Sequence, residues 1–308
     1  MEFANDSAVS NGQNGQSGVL VRVATRGDTT AITRLLRQST FRHVHVDWRL
    51  PVEWIGSPGF VVAEATKRPF SATLFGQENP LYGCLAGTAD PPPAAWVRLV
   101  ALAEEKYIPQ VLAAMLEPVR AYLQETAVTQ LAWLVMSDWP LDWLPQLGFH
   151  FYIDIETYVK PDLEIPPFTP NPQVHIRPVR ETDMPQLAHL EQAAFEPLWR
   201  HSVEALMLAR QYTCSFDVAI IEGEIVGFQF STPGHSSAHL VRLTVDPAWH
   251  GHGVGSTLLA HTLANYRHQG FKRATLNTQT NNYTSQRLYR RFGFQASGQK
   301  LPIWVLAL

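Results

Sequence analysis

Gly251, Gly253 and Gly255 alternate with His250, His252 and Val254 in the run Val245-Asp-Pro-Ala-Trp-His-Gly-His-Gly-Val-Gly-Ser256. The run lies between an apolar strand-like segment, Leu240 to Val245, and a stretch where Leu258, Leu259, Leu263 and Tyr266 recur at helical spacing. Glycines leave backbone N–H groups unshielded, and a helix start adds the positive end of its dipole. The loop therefore suits phosphate oxygens. From Pro247 to Leu308 there is no Asp or Glu, while Arg267, Lys272, Arg273, Arg287, Arg290, Arg291 and Lys300 give a formal +7. The whole chain is −3, so residues 1–246 carry −10. An acid-free basic segment around a glycine loop fits a ligand with several phosphates. A dinucleotide-binding reading fails, because it needs an acidic residue about twenty positions after the glycines to hold the ribose. A Walker A reading fails because no Gly-Lys-Ser/Thr follows.

A short strand pattern, Ala274 to Asn277, comes next, and then Asn282-Tyr-Thr-Ser-Gln-Arg-Leu-Tyr289-Arg-Arg-Phe-Gly-Phe294. Taken in order, Val245-x-Pro247-x-x-His250-Gly-x-Gly-Val-Gly255 and Asn282-x-x-Ser285-x-x-Leu288-Tyr289-x-x-x-Gly293-Phe294 resemble the GNAT superfamily of acyl-CoA-dependent N-acyltransferases. The resemblance covers about Val174 to Leu308. It implies an α/β (α+β) fold, a mixed twisted sheet flanked by helices, in which two neighbouring strands splay apart around the pantetheine arm of acetyl-CoA.

The resemblance assigns roles residue by residue. Backbone N–H groups of His250, Gly251, His252, Gly253, Val254, Gly255 and Ser256 are expected at the pyrophosphate. The main chain of Leu243, Thr244 and Val245 is expected along the pantetheine, as an added strand would lie. Asn282 and Ser285 fall at cofactor-arm positions. Tyr289 falls where a phenol faces the thioester sulfur and can protonate the departing thiolate. His250 stands where the family has Gln or Arg, and Ser285 where Ala is common. Asn277 stands where some relatives carry a carboxylate base. The base is therefore sought among His239, His235, Glu196 and Glu222, with His239, at the start of the strand, as the choice. Phe195 and Trp199, between two amphipathic stretches, are the expected acceptor wall. Cys84 and Cys214 are not needed as nucleophiles, and His250-Gly-His252 is not read as a metal pair.

A faint internal repeat organises the rest. Val21-Arg22 to Asp28 returns as Ile176-Arg177 to Asp183 at an offset of 155, and Leu147-Gly-Phe149 returns as Phe292-Gly-Phe294 at 145. Between them, strands are expected at Gly59–Ala65, Leu81–Gly87, Ala95–Leu102 and Leu131–Ser137, with a helix from about Glu104 to Glu125. Two tandem GNAT folds follow: a disordered tail at 1–18, a degenerate GNAT-like domain at 19–160, a Pro-rich linker at 161–173 and a catalytic domain at 174–308. The first copy runs Leu102-Ala-Glu-Glu-Lys-Tyr where the second has its glycines, and Leu144 pairs with Tyr289. It is expected to be silent and to wall the acceptor cleft.

Composition sets the class. At 45% apolar and 17% charged the chain reads as globular, and two cysteines form no disulfide framework. With no long apolar run and no basic leader, the expectation is a cytoplasmic protein, monomer or homodimer, without membrane or nucleic-acid partners. The expected reaction is transfer of an acetyl group from acetyl-CoA to a primary amine of a small metabolite. A peptide or protein N-acetyltransferase, or a non-catalytic acyl-CoA-binding or regulatory module, is the alternative.

Overall fold

Apolar runs that alternate or stay buried on both faces become strands, and helical repeats of Leu, Ile and Val cover them. The computed structural model describes residues 19–46, 48–66, 80–89 and 91–308; the expected tail, 1–18, lies outside the described residues. The first half runs β1 (Val19–Val23), α1 (Thr29–Gln38), β2 (Phe41–Val44), β3 (Phe60–Ala65), β4 (Leu81–Ala89), β5 (Ala94–Leu102), α2 (Ile108–Glu125), β6 (Gln130–Leu134) and β7 (His150–Lys160). The second runs β8 (His175–Pro178), α3 (Met184–Ala194), α4 (Val203–Arg210), β9 (Ser215–Ile221), β10 (Glu224–Pro233), β11 (Ser237–Val245), α5 (Val254–His268), β12 (Arg273–Gln279), α6 (Tyr283–Arg291) and β13 (Gln295–Ala307). The strands expected from sequence are present. β6 stops short of Ser137, and the expected 104–125 helix begins at Ile108, after a 3-10 turn.

The repeat is visible as a matched clamp at each start. Arg22 forks onto Asp28 through Nη1 and Nη2 at 2.8 and 2.7 Å, and Arg177 onto Asp183 at 2.7 and 2.9 Å. Such bidentate pairing fixes the angle at which β1 and β8 enter the following helices. The Arg22 guanidinium holds the Asp28 carboxyl down at about 2 despite the upward pull of burial.

Among the described residues thirteen strands form one sheet, in the order β1-β3-β4-β5-β6-β13-β7-β12-β11-β10-β9-β8, with β2 paired to β5. The two halves exchange their last strands. β7, from the first, pairs antiparallel with β12, and β13, from the second, pairs antiparallel with β6. β7 and β13 pair with each other at the centre. α2 covers one face of the first half with Ile108, Val111, Leu112, Met115 and Val119. α1 covers the other face with Ile32 and Leu35. In the second half α5 packs Leu258, Leu259 and Leu263 on one face, and α3 and α4 pack on Val218, Phe228 and Phe230 of the other.

Each half has one place where parallel neighbours part. β11 and β12 pair from Ser237↔Arg273 to Leu240↔Leu276 and then diverge. A bulge places Val241 as an extra residue at that point, between the pairs Phe230↔Arg242 and Ser231↔Leu240. β5 and β6 pair only from Ala94↔Gln130 to Trp96↔Ala132. There the gap is filled by β2, which bonds to β5 from Phe41↔Leu102 to Val44↔Leu99. Beside Glu104 and Glu105, which stand where the second half has its glycines, the gap is thus occupied by a strand of the chain itself. Trp133, 1% exposed, closes the space beneath it, 5.6 Å from the His43 ring and 5.9 Å from Trp139. Leu144 is fully buried there.

Candidate active site

The open parting between β11 and β12 is a cleft of about 750 Å³. Its far end is the glycine loop. Gly251 and Gly253 have φ of +82° and +79°, a region where side chains are strained, and Gly253 caps α5. The N–H groups of Val254, Gly255 and Ser256, in the first turn of α5, have no carbonyl a turn earlier in the helix to bond. Arg287 and Arg291 line the same end, and Arg291 donates to the Ser256 hydroxyl. The segment expected as a linker braces the loop: Asn171 Nδ2 donates to the His252 carbonyl at 2.8 Å, and Asn171 N to Thr257 Oγ1 at 3.3 Å. It is packed rather than free, with Phe168 5.6 Å from Phe292.

The cleft brings together most of the residues singled out from sequence. Leu243, Val245, His250, Gly251, Gly253, Val254, Gly255, Ser256, Asn282, Ser285, Tyr289 and Phe195 all line it. Asn282 also caps α6, its Oδ1 accepting from Ser285 N at 3.2 Å. The histidine rings of the loop turn to backbone: His250 Nε2 lies 3.1 Å from the Val245 carbonyl and His252 Nδ1 3.1 Å from the His250 carbonyl. Burial pushes the Tyr289 phenol up to about 12, with the Arg242 charge and the Ser285 hydroxyl pulling back. A phenol held there is protonated at neutral pH, and so is a proton donor.

Other singled-out residues are not brought to the cleft. His239 is outside its lining; Nδ1 is 2.8 Å from Thr275 Oγ1, and burial lowers its pKa. Thr244 is buried, its hydroxyl donating to Glu191 Oε1 at 3.0 Å. His252 is exposed beside the loop, 5.7 Å from the Trp249 ring. Trp199 lies at the seam between the halves, 6.1 Å from Trp96, with its carbonyl accepting from Arg242. Of the remaining base candidates, Glu196 accepts from the Tyr152 hydroxyl at 2.9 Å, Glu222 sits in the β9–β10 turn at φ +51°, and His235 is exposed in the β10–β11 turn.

Sequence reasoning missed a buried ionic cluster at the near end. Glu191, 0% exposed on α3, takes Arg242 Nη2 at 2.6 Å on Oε2, with the His201 ring at 3.2 Å. Burial would raise the Glu191 pKa, but Arg242, His201 and Thr244 outweigh it and hold the carboxylate ionised. Arg242 also stacks on the Phe195 ring at 4.2 Å and lines the cleft. Glu191 falls inside an amphipathic helix, and nothing in its spacing marks it. Asn277, also in the lining, is held by strand exchange, its Oδ1 accepting from Thr157 Oγ1 of β7 at 3.0 Å.

Residues 184–294 match the model of the acetyltransferase (GNAT) family. No curated protein matches the chain. Among solved structures, a GCN5-related N-acetyltransferase from Sphaerobacter thermophilus is similar at 16% identity, with a TM-score of 0.58 over 95% of this chain and 96% of that one. A tandem GNAT protein from the clavulanic acid biosynthesis pathway is similar at 14% identity, with a TM-score of 0.58 over 94% of this chain and 98% of that one. A putative acetyltransferase from Pyrococcus horikoshii gives 15%, 0.57, 98% and 94%. At these identities the structures establish the fold across both halves. Residues 184–294 thus carry the match to the acetyltransferase (GNAT) family model, and the two halves together have the fold of the tandem GNAT structures.

Proposed function

We propose that the protein is an N-acetyltransferase that moves an acetyl group from acetyl-CoA to a primary amine of a small molecule, and that only the second half does so. One observation carries the reading: a protonated phenol, Tyr289, lines the same cleft as the first turn of α5, whose Val254, Gly255 and Ser256 N–H groups have no carbonyl within the helix to bond.

The residues present fit an acyl-CoA. The left-handed glycines and the first turn of α5 offer donors to a pyrophosphate, and Arg287 and Arg291 add charge. β11 beyond Leu240 is free of β12 and offers its main chain to an extended arm. When bound, the thioester supplies an activated acyl carbon and a thiolate leaving group. Phe195 walls the near end, Tyr289 gives its proton to the departing sulfur, and Asn277 is held toward the cleft by Thr157. Covalent catalysis by cysteine is disfavoured. Burial pushes the Cys84 thiol up to about 12, and the half-buried Cys214 thiol also lies above its ordinary value. His239, bonded to Thr275 outside the lining, is not assigned as the base.

The test is calorimetry and thermal shift with acetyl-CoA, followed by thiol release with amines. We expect one site per chain, stabilisation that saturates, and turnover that Tyr289→Phe removes while binding survives. Binding without turnover toward any amine would leave the non-catalytic module instead.

A further inference from the structure

The charged side chains lining the cleft, among the described residues, are Arg242, Arg287 and Arg291; no Asp or Glu lines it. Arg287 and Arg291 stand at the loop end, so Arg242 is the fixed charge at the reacting end. It cannot swing away, because Glu191, the Trp199 carbonyl and His201 hold the guanidinium at Nη2 while the Phe195 ring stacks against it. Glu191 lies behind it, sealed from solvent, so the cleft meets the positive end of the pair. The other titratable groups nearby are committed elsewhere. From α6, Tyr289 is a protonated phenol. His201 is in the Arg242 cluster, Glu196 accepts from Tyr152, and His239 is bonded to Thr275. β12 presents Asn277 and Thr278, which do not titrate.

From this arrangement we infer that the acceptor is a weakly basic amine, one that enters the cleft as the neutral nitrogen, and that Arg242 is the residue that turns ammonium ions away. This rests on the acetyltransferase reading above. An alkyl or lysine ammonium would meet a like charge and no group to take its proton, and desolvating it beside Arg242 is unfavourable. A neutral nitrogen needs no base to begin. Its lone pair forms the C–N bond at the thioester carbonyl carbon, and the C–S bond breaks with its electron pair going to sulfur. Sulfur takes the Tyr289 proton, and the proton shed by nitrogen returns to the Tyr289 phenolate. The products are an amide and a thiol, and the phenol is restored. Two sources share this chemistry, an aryl amine and the α-amino group of a peptide. The α-amino group titrates near 8 and the lysine side chain near 10.4, so at pH 7 the lysine nitrogen is neutral roughly 300-fold less often.

The experiment uses the full-length protein with acetyl-CoA, a short peptide carrying a free α-amine and one lysine, an aryl amine and butylamine, from pH 6 to 9. Mass spectrometry locates the acetyl group, and thiol release gives rates. Acetylation of the α-nitrogen at least about 50-fold faster than lysine is expected. So is a flat aryl-amine profile, with butylamine kcat/KM rising about tenfold per pH unit. A lower KM for the peptide assigns a chain terminus as the source, and a lower KM for the aryl amine a small aromatic. Equal labelling of lysine, or a butylamine profile that levels off well below the pKa of butylamine, would reveal an enzymic base and overturn the inference while leaving the transferase reading intact. No labelling of any nitrogen by enzyme that binds acetyl-CoA would overturn the transferase reading itself. The double substitution Glu191→Gln with Arg242→Met removes the pair without leaving either charge alone. Butylammonium should then become a competitive inhibitor at pH 7, and no gain of inhibition would remove Arg242 from the selection.

Discussion

In the second half β11 and β12 part after Leu240 and leave a cleft of about 750 Å³; in the first, β5 and β6 part after Trp96 and β2 lies in the gap. The same backbone device thus meets two fates. An opening between parallel strands exposes N–H and C=O groups along one edge, and those groups must find partners. In the second half the unpaired edge is available to a ligand arm. In the first it is satisfied internally, by Phe41 to Val44 and by His43 Nε2 at 3.1 Å from the Val97 carbonyl. The glycine loop and the tyrosine are missing from the copy whose gap is filled, as expected if all three features serve one ligand.

The contrast can be broken in several ways. Tyr289→Phe should reduce turnover by about 10²–10⁴-fold and leave acetyl-CoA affinity within about twofold; full turnover would place the proton donor elsewhere. Trp133→Ala should cost about 3–5 kcal/mol of stability by opening a cavity beneath the plug. Denaturant unfolding reads that loss. Acetyl-CoA affinity measured well below the new transition should be unchanged, and a parallel loss would mean that the plug supports the open cleft. Gly253→Val forces a β-branched side chain into φ near +79° and should weaken acetyl-CoA about 100-fold by thermal-shift titration. Glu104→Val in the corresponding stretch should change nothing, and equal effects would erase the distinction between the copies.

The smallest expected effect is a pH dependence of the plug. Burial lowers His43 from its ordinary value to about 4, so between about pH 6.5 and 4 the unfolded chain binds a proton that the folded one refuses. Stability contributed by the neutral ring is present above about 6.5 and is lost as pH falls toward 4, by about 3 kcal/mol. His43→Gln should reduce that fall in chemical denaturation across this range, the rest belonging to His45, which burial also holds neutral. A wild-type stability that is level from pH 7 to 4 would count against a buried neutral ring.

Much of the second half was legible because its elements are announced by local chemistry. The glycines at 251 and 253 occupy left-handed positions, the Leu258, Leu259 and Leu263 stripe is buried, and Asn282 caps the helix that carries Tyr289. The paired Arg and Asp residues at offset 155 likewise form matching clamps. What escaped were contacts between segments far apart in sequence. Glu191 meets Arg242 across 51 residues, and Thr157 meets Asn277 across 120. Neither pair leaves a periodic trace, because each partner sits in an element whose pattern is set by other packing. β2 was missed for a related reason. Phe41-Arg-His-Val is too short to read as a strand, and it becomes one only because β5 has an edge to offer. His239 shows that a place on the right strand does not give access to the gap, because its ring lies against Thr275 before the strands part.

The exchange of β7 and β13 also bears on how the protein is made. A first half emerging from a ribosome would hold β6 with one side bare, since its neighbour in the finished sheet is β13. That edge must wait for more than 150 residues of further synthesis, exposed in the interval to wrong pairings. Folding with contacts this distant in sequence is slow, and the two copies must finish together rather than one after the other. Losing β13 would accordingly bare the edge of β6 in the first half, while β12, which borders the cleft, would keep β7 at its side.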